Sequence, residues 1–168
     1  MNPETASTAR WIIGLGANLG DAPRTLSRAL AALACRADAC HLKRSSLWRS
    51  APVDAQGPDY VNAVVSFDSA LSPAAMLRLA NTVEAEFGRI RTYRHAPRTL
   101  DIDLLLHADG PVDEPDLQLP HPRMHERAFV LAPLLEIAPD CDIPGAGLAR
   151  LCLERCAGQP IVRIGSFD

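Results

Sequence analysis

The sequence lacks the features that mark membrane proteins, disulfide-rich secreted domains and zinc domains. Its 168 residues include no apolar run long enough to span a bilayer, and residues 1–10 have no apolar core like that of a signal peptide. The five cysteines are odd in number and contain no C-x-x-C pair, which argues against a structural zinc site and against a disulfide framework. We therefore expect a cytoplasmic protein with reduced thiols and a flexible N-terminus over residues 1–10.

The chain also lacks an excess of positive charge. Its 17 lysines and arginines are outnumbered by 20 aspartates and glutamates, giving a net charge of −3, whereas nucleic-acid-binding surfaces are usually basic. Positive charge is concentrated in one segment that holds four arginines and no carboxylate: Arg89, Arg91, Arg94 and Arg98. Such a local cluster suits a small anionic ligand. We expect small-molecule substrates, no nucleic-acid or membrane partner, and a monomer.

The turn-rich segment at residues 16–21, GANLGD, lacks the lysine of a P-loop. Its glycines alone are weak evidence for phosphate binding, because a turn from a strand into a helix requires glycines in any case. We interpret this segment as structural.

The strongest pattern runs from Gly88 to Leu106, GRIRTYRHAPRTLDIDLLL. Its second part, residues 100–106, is short, aliphatic and preceded by a proline-containing loop, which predicts a buried strand. Side chains alternate along a strand, so Asp101 and Asp103 should share one face. Two neighbouring carboxylates repel each other, and we expect a cation beside them.

Two kinds of cation fit this pattern. Nearby arginines would make a structural salt-bridge cluster, whereas Mg²⁺ would make a nucleotide site. Four arginines exceed what two carboxylates need, and arginine forks bind phosphate oxygens. Mg²⁺ commonly takes one or two carboxylates together with substrate phosphates. The composition therefore favours a site for Mg²⁺ and a nucleotide, of the kind used in phosphoryl-type transfer.

The hydrophobic periodicity predicts an α+β protein with a ferredoxin-like β-α-β-β-α-β core. Additional C-terminal helices should cover the second face of the sheet and give a three-layer α-β-α arrangement. Within residues 124–138 we expect a short helix that is cut at Pro133. The other predicted elements are strands at 11–15, 41–49, 60–67, 100–106 and 161–164, and helices that start near Pro23, at 73–87 and at 148–156.

The residues Arg94 to Leu105, RHAPRTLDIDLL, resemble the signature of the 6-hydroxymethyl-7,8-dihydropterin pyrophosphokinase (HPPK) family of folate biosynthesis. Three further segments are similar to family motifs, namely PDYVN at 58–62, GRIR at 88–91 and PHPRMHER at 120–127. The resemblance covers roughly residues 11–140. Because a length of 168 residues suits one domain, we expect residues 11–168 to form a single pyrophosphokinase domain.

The resemblance also implies a role for individual residues. Asp101 and Asp103 would hold two Mg²⁺ ions, and Arg89 and Arg98 would stabilise charge on the transferred group. The ATP-binding residues would be Glu84, Arg89, Arg91, Arg94, Arg98, His121 and Arg127. The pterin-binding residues would be Ser50, Pro52, Tyr60, Asn62 and Phe129, because aromatic rings can stack on the flat pterin while amide groups read its edge.

The activity that the resemblance implies is transfer of a pyrophosphoryl group from ATP to the pterin hydroxymethyl oxygen, which yields the pterin diphosphate and AMP. Two other classes stay open. A non-catalytic nucleotide-binding module would keep the arginines but would not need paired carboxylates. A small nucleotidyltransferase, related to a polymerase palm, would use two strand carboxylates, but the acidic net charge and the small size argue against it.

Overall fold

The computed structural model describes residues 7–52, 57–88 and 99–167. The strands in these ranges are β1 (Ala9–Ala17), β2 (Cys40–Arg44), β3 (Leu47–Ser50), β4 (Tyr60–Ser69), β5 (Asp101–His107), β6 (Val112–Glu114), β7 (Leu117–Leu119), β8 (Asp142–Ile143), β9 (Gly147–Leu148) and β10 (Ile161–Gly165). The helices are α1 (Ala22–Arg36), α2 (Pro73–Glu86), α3 (Ala128–Ile137) and α4 (Ala149–Arg155), with a 3₁₀ turn at Met124–Glu126. β1 begins inside the range expected to be flexible.

The main sheet has the order β10-β3-β4-β1-β5, and β2 also pairs with β4. Every pairing in it is antiparallel. β1 is an inner strand, with β4 on one side and the edge strand β5 on the other. As a result, the beginnings of β4 and β5 meet at the end of β1.

Helices pack on both faces of this sheet. The buried apolar residues of α1 and α2 lie in one cluster with Trp11, Ile13 and Leu15 of β1. A second cluster joins Val64 of β4 and Leu105 of β5 to α3 and α4. Successive side chains of β4 and β5 point alternately into the two clusters, which is the two-residue period expected of a strand. None of the helices within the described ranges combines the length and apolarity that crossing a bilayer requires.

The predicted starts of α1 and α2 are confirmed by their capping contacts. The side chain of Asp21 accepts a hydrogen bond from the backbone N–H of Arg24 (3.2 Å). In the same way, the Ser72 hydroxyl accepts from the Ala75 N–H (3.3 Å), and Pro73 stands at the first helical position. Both caps satisfy backbone donors that have no partner inside the helix.

Three predicted boundaries are wrong. β1 does not end at Leu15 but continues through Gly16 to Ala17. The single strand expected at residues 41–49 is two strands, which are separated by Ser45 and Ser46. At this break the Ser45 hydroxyl accepts a hydrogen bond from the Val64 N–H (3.0 Å). Pro133 does not cut the helix that contains it. It removes one backbone hydrogen bond, and the burial of α3 against the sheet outweighs that loss.

Candidate active site

A cavity of about 320 Å³ opens where β4 and β5 begin and β1 ends. Its volume lies in the range of small-molecule sites. The wall combines apolar, polar and charged side chains from six separate parts of the chain. Residues that line it include Gly14, Gly16, Ser50, Ala51, Tyr60, Asn62, Asp101, Asp103, Arg123, Glu126, Arg127, Phe129 and Gln159.

Two glycines of β1 form the floor of this cavity. Gly16 pairs with Asn62 of β4 on one side and with Asp101 of β5 on the other. Gly14 pairs in the same way with Val64 and Asp103. A methyl group added at Gly16 would lie 3.3 Å from the Asn62 amide oxygen, so the site leaves no spare room above this glycine. Gly16 was expected to lie in a turn, so its part in the site was not predicted.

Asp101 and Asp103 lie on one face of β5, as the alternation predicts, and both border the cavity. They are neither fully buried nor fully exposed. A guanidinium nitrogen of Arg127, Nη1, lies 3.6 Å from Asp103 Oδ2. The cation that was expected beside the carboxylates is therefore supplied in part by an arginine outside the cluster at 89–98. Two carboxylates that face one cavity also match the hard oxygen donors that Mg²⁺ prefers.

The residues expected to bind a pterin meet at the other side of the cavity. Asn62 is 5% exposed, and its Nδ2 donates a hydrogen bond to the Ser50 hydroxyl (2.9 Å). Tyr60 and Phe129 line the same cavity. Pro52, which was also predicted, is not part of the wall, and Ala51 lines it instead.

His121 has a defined tautomer. Its Nδ1 accepts a hydrogen bond from the Arg123 N–H (3.1 Å), so any proton that the neutral ring carries is on Nε2. Burial, together with the positive charge of Arg127, lowers the pKa of His121 below its usual value. His121 is therefore a neutral donor through Nε2 near pH 7. The cavity wall does not include it.

Glu84 supports the strand that carries the two aspartates. It is 2% exposed, and its Oε1 accepts a hydrogen bond from the backbone N–H of Ile102 (2.7 Å). That amide lies between Asp101 and Asp103, so Glu84 holds the backbone from which both carboxylates extend. The expected contact of Glu84 with the nucleotide stays a prediction. The arginines at 89, 91, 94 and 98 lie outside the described residues.

Gln159 is a residue of the cavity that the sequence did not indicate. Its Oε1 accepts from the Ala128 N–H (2.9 Å) and its Nε2 donates to the Glu126 carbonyl (2.8 Å). These two contacts hold the backbone on both sides of Arg127. No motif could have revealed this pairing, because Gln159 follows α4 and reaches the site only through the packing of α4.

Comparison with known proteins identifies the family. Residues 12–139 match the family 7,8-dihydro-6-hydroxymethylpterin-pyrophosphokinase (HPPK). A 2-amino-4-hydroxy-6-hydroxymethyldihydropteridine pyrophosphokinase of Synechocystis sp. is 41% identical over 136 residues, which are 81% of this chain and 70% of the relative. The protein of the same name in Haemophilus influenzae is 35% identical over 153 residues, covering 90% of this chain and 96% of the relative.

A solved structure shows the same fold. The wild-type HPPK-DHPS of Plasmodium falciparum superposes with a TM-score of 0.70 at 13% identity. The match covers 91% of this chain but only 45% of the Plasmodium chain, so this protein spans less than half of that relative. The match to the family over residues 12–139 and the identity to its named members show that the chain belongs to the 7,8-dihydro-6-hydroxymethylpterin-pyrophosphokinase family.

Proposed function

We propose that this protein transfers the pyrophosphoryl group of ATP to the hydroxymethyl oxygen of 6-hydroxymethyl-7,8-dihydropterin and releases AMP. The observation that carries the proposal is the position of Gly16, which pairs with Asn62 on one side and with Asp101 on the other. The side of the cavity suited to a pterin and the side suited to a metal-bound phosphate chain are therefore only one strand apart. The family uses ATP as co-substrate.

The side chains on the pterin side can recognise a flat heterocycle. Asn62 offers an amide that is fixed by Ser50, and a buried, oriented amide pairs with the edge of a guanine-like ring. Tyr60 and Phe129 supply aromatic surface for its faces. Since Asn62 is buried, water competes little for its hydrogen bonds. This side of the cavity sets the position of the pterin hydroxymethyl group.

Asp101 and Asp103 are the residues that would hold the Mg²⁺ of the phosphate side, and we propose two ions. Bound Mg²⁺ neutralises phosphate charge and lowers the pKa of a coordinated hydroxyl group. Arg127 would turn from Asp103 to the phosphates, and His121 would donate from Nε2. Preorganised donors of this kind stabilise the charge that develops during transfer. Arg89 and Arg98 would contribute in the same way.

We also infer a ferredoxin-like core for the whole domain of residues 11–168, acting as a monomer in the cytoplasm. The strand order β5-β1-β4-β3, with α1 and α2 as the connecting helices, supports the split β-α-β arrangement. The strand β10 would be an addition at one edge.

The reaction is tested by separating the nucleotides formed from ATP and Mg²⁺ with and without the pterin alcohol. The proposal expects AMP in amounts equal to the pterin consumed. Release of ADP would indicate transfer of a single phosphoryl group, and the absence of any turnover would favour a non-catalytic nucleotide-binding module. Release of pyrophosphate without the pterin would favour a nucleotidyltransferase.

Replacement of Arg127 by alanine should have two effects of opposite direction. The guanidinium competes with a divalent cation for Asp103. Its loss should therefore tighten Mg²⁺ binding to the nucleotide-free protein by about threefold, the scale of a partly exposed ion pair. The same variant should bind ATP more weakly, because a phosphate ligand is lost. Titration calorimetry with Mg²⁺ and then with ATP separates the two effects.

Arg123→Ala is the matched control for the Mg²⁺ titration. Arg123 also lines the cavity, but its guanidinium lies 3.9 Å from Glu126. Mg²⁺ affinity should change little in this variant. Equal tightening by both substitutions would mean that general charge, and not competition for Asp103, sets the metal affinity.

Replacement of Gln159 by alanine should lower kcat/KM for ATP about tenfold, equal to the loss of about one good hydrogen bond. The reason is that the backbone around Arg127 is then free to move. Gln159→Glu keeps the acceptor for the Ala128 N–H but loses the donor, and its activity should be intermediate. Steady-state kinetics measure the change, and thermal unfolding tests whether the fold is kept.

Gln118→Ala is the control for the same residue type. Gln118 is exposed on β7 and donates to Asp113 (3.2 Å), away from the cavity. Its kinetics should match those of the unmodified protein. If Gln159→Ala also retains full activity, the two hydrogen bonds do not position Arg127.

A further inference from the structure

A second group of ligand-forming side chains lies at the far end of β4. The Cys40 thiol, the His41 imidazole and the Asp68 carboxylate each place one ligand atom within 4.8 Å of the other two. Asn62 borders the active-site cavity near the start of β4, and Asp68 follows six residues later (68 − 62). That separation is about 20 Å along an extended strand. The two groups are therefore independent of each other.

A bulge in β2 explains how two consecutive residues reach the same aspartate. In a regular strand, the side chains of Cys40 and His41 would point to opposite faces. Here Cys40 pairs with Asp68, but the next pair is Lys43 with Ser66, so β2 contains one extra residue. His41 also has a φ of +53°, in the left-handed region that few non-glycine residues adopt. Bulges commonly redirect a side chain in this way.

The redirected side chains converge on Asp68. His41 Nδ1 lies 2.8 Å from Asp68 Oδ2, and Cys40 Sγ is 3.6 Å from the Asp68 carbonyl oxygen. Cys40 and His41 are exposed, so a metal ion can reach them from solvent. The local backbone thus gathers a thiol, an imidazole and a carboxylate at one accessible point.

Arg10 holds the carboxylate from the neighbouring strand. Arg10 pairs with Asp68 in the β1–β4 ladder and donates hydrogen bonds to both carboxylate oxygens. The hydrogen bonds from Arg10 and the contact with His41 fix the position of this carboxylate. Hydrogen bonds that orient a ligating carboxylate are common around metal sites. The charge of Arg10 also opposes a cation, so we expect weaker binding than in a site with four protein ligands.

We propose that Cys40, His41 and Asp68 bind one Zn²⁺ ion, with water as the fourth ligand. Thiolate and imidazole favour Zn²⁺, whereas Mg²⁺ prefers an all-oxygen site such as Asp101 and Asp103. The ion would connect β2 to β4 at the edge remote from catalysis. The lack of a C-x-x-C pair argued against a structural zinc site in the sequence. That pattern does not detect this site, because it uses one cysteine and takes its third ligand, Asp68, from another strand.

The proposal is tested by calorimetric titration of the zinc-free protein with Zn²⁺. Excess Mg²⁺ is present throughout, so that sites made of oxygen ligands are already filled. We expect one Zn²⁺ per chain. Cys40→Ser and His41→Gln should each weaken binding at least tenfold, the minimum scale for loss of a ligand or its support. Both residues are exposed, so neither substitution should lower the melting temperature of the metal-free protein. Co²⁺ should give a thiolate-to-metal absorption band that Cys40→Ser abolishes.

Cys35→Ser is the matched control, since Cys35 is also an exposed free thiol but lies on α1 outside the group. It should bind Zn²⁺ as the unmodified protein does. Failure of the unmodified protein to bind Zn²⁺, or equal binding by Cys40→Ser, would overturn the proposal. Loss of binding on Cys35→Ser alone would place the ion at another site and would overturn it as well.

Discussion

Replacement of Asp103 by asparagine is expected to lower kcat about 1,000-fold while the protein stays folded. A loss of this size is typical when a group that stabilises transition-state charge is removed. Asp103 shares a face with Asp101 and borders the cavity, so its charge is available to a metal ion. Asparagine keeps the shape of the side chain, and the substitution also relieves repulsion between the two carboxylates.

Turnover as a function of Mg²⁺ concentration measures this effect, and thermal unfolding reports on the fold. Asp116→Asn is the control, because Asp116 is exposed between β6 and β7 and does not line the cavity. It should have normal kinetics. Near-normal activity of Asp103→Asn, or its unfolding, would favour the structural salt-bridge cluster over a metal site.

Replacement of Asn62 by leucine is expected to lower kcat/KM for the pterin about 100-fold, equivalent to about 3 kcal/mol. Leucine has a similar size, so the packing of β4 is kept, but the amide that would read the pterin edge is lost. The Ser50 hydroxyl also loses the hydrogen bond from Asn62 Nδ2. The KM for ATP should stay nearly unchanged, since the phosphate side of the cavity is built on β5 and on Arg127.

Asn81→Leu provides the matched control for this substitution. Asn81 is exposed on α2 and does not line the cavity, so its replacement should leave both KM values unchanged. An equal rise of the two KM values in Asn62→Leu would mean that Asn62 supports the whole site and does not select the pterin.

Local patterns in the sequence predict much of the sheet and of its cavity. The alternation of apolar and polar residues places Asp101 and Asp103 on one face of β5, because side chains alternate along any strand. The same rule places Val61 and Asn62 on opposite faces of β4, with Val61 in the hydrophobic core and Asn62 in the cavity wall. These predictions need only the local period of the chain. The starts of α1 near Pro23 and of α2 at Pro73 are local in the same sense.

The features that the sequence does not predict depend on residues that are far apart. Gly16 has the appearance of a turn residue, and only its pairing with both β4 and β5 shows that it is the floor of the cavity. The approach of Arg127 to Asp103 and the two hydrogen bonds of Gln159 join segments with no shared motif. Pro133 within α3 is a further case, because burial against the sheet overrides a local helix-breaking preference.

Transfer of label from ATP that carries ³²P in its β-phosphate tests the proposed reaction most directly. After incubation with Mg²⁺ and 6-hydroxymethyl-7,8-dihydropterin, the label should be found on the pterin product, and unlabelled AMP should accumulate in equal amount. The Asp103→Asn variant should transfer little label under the same conditions. The label could instead be found in ADP, or it could remain in ATP while the pterin is unchanged. Either result would mean that the cavity does not catalyse pyrophosphoryl transfer.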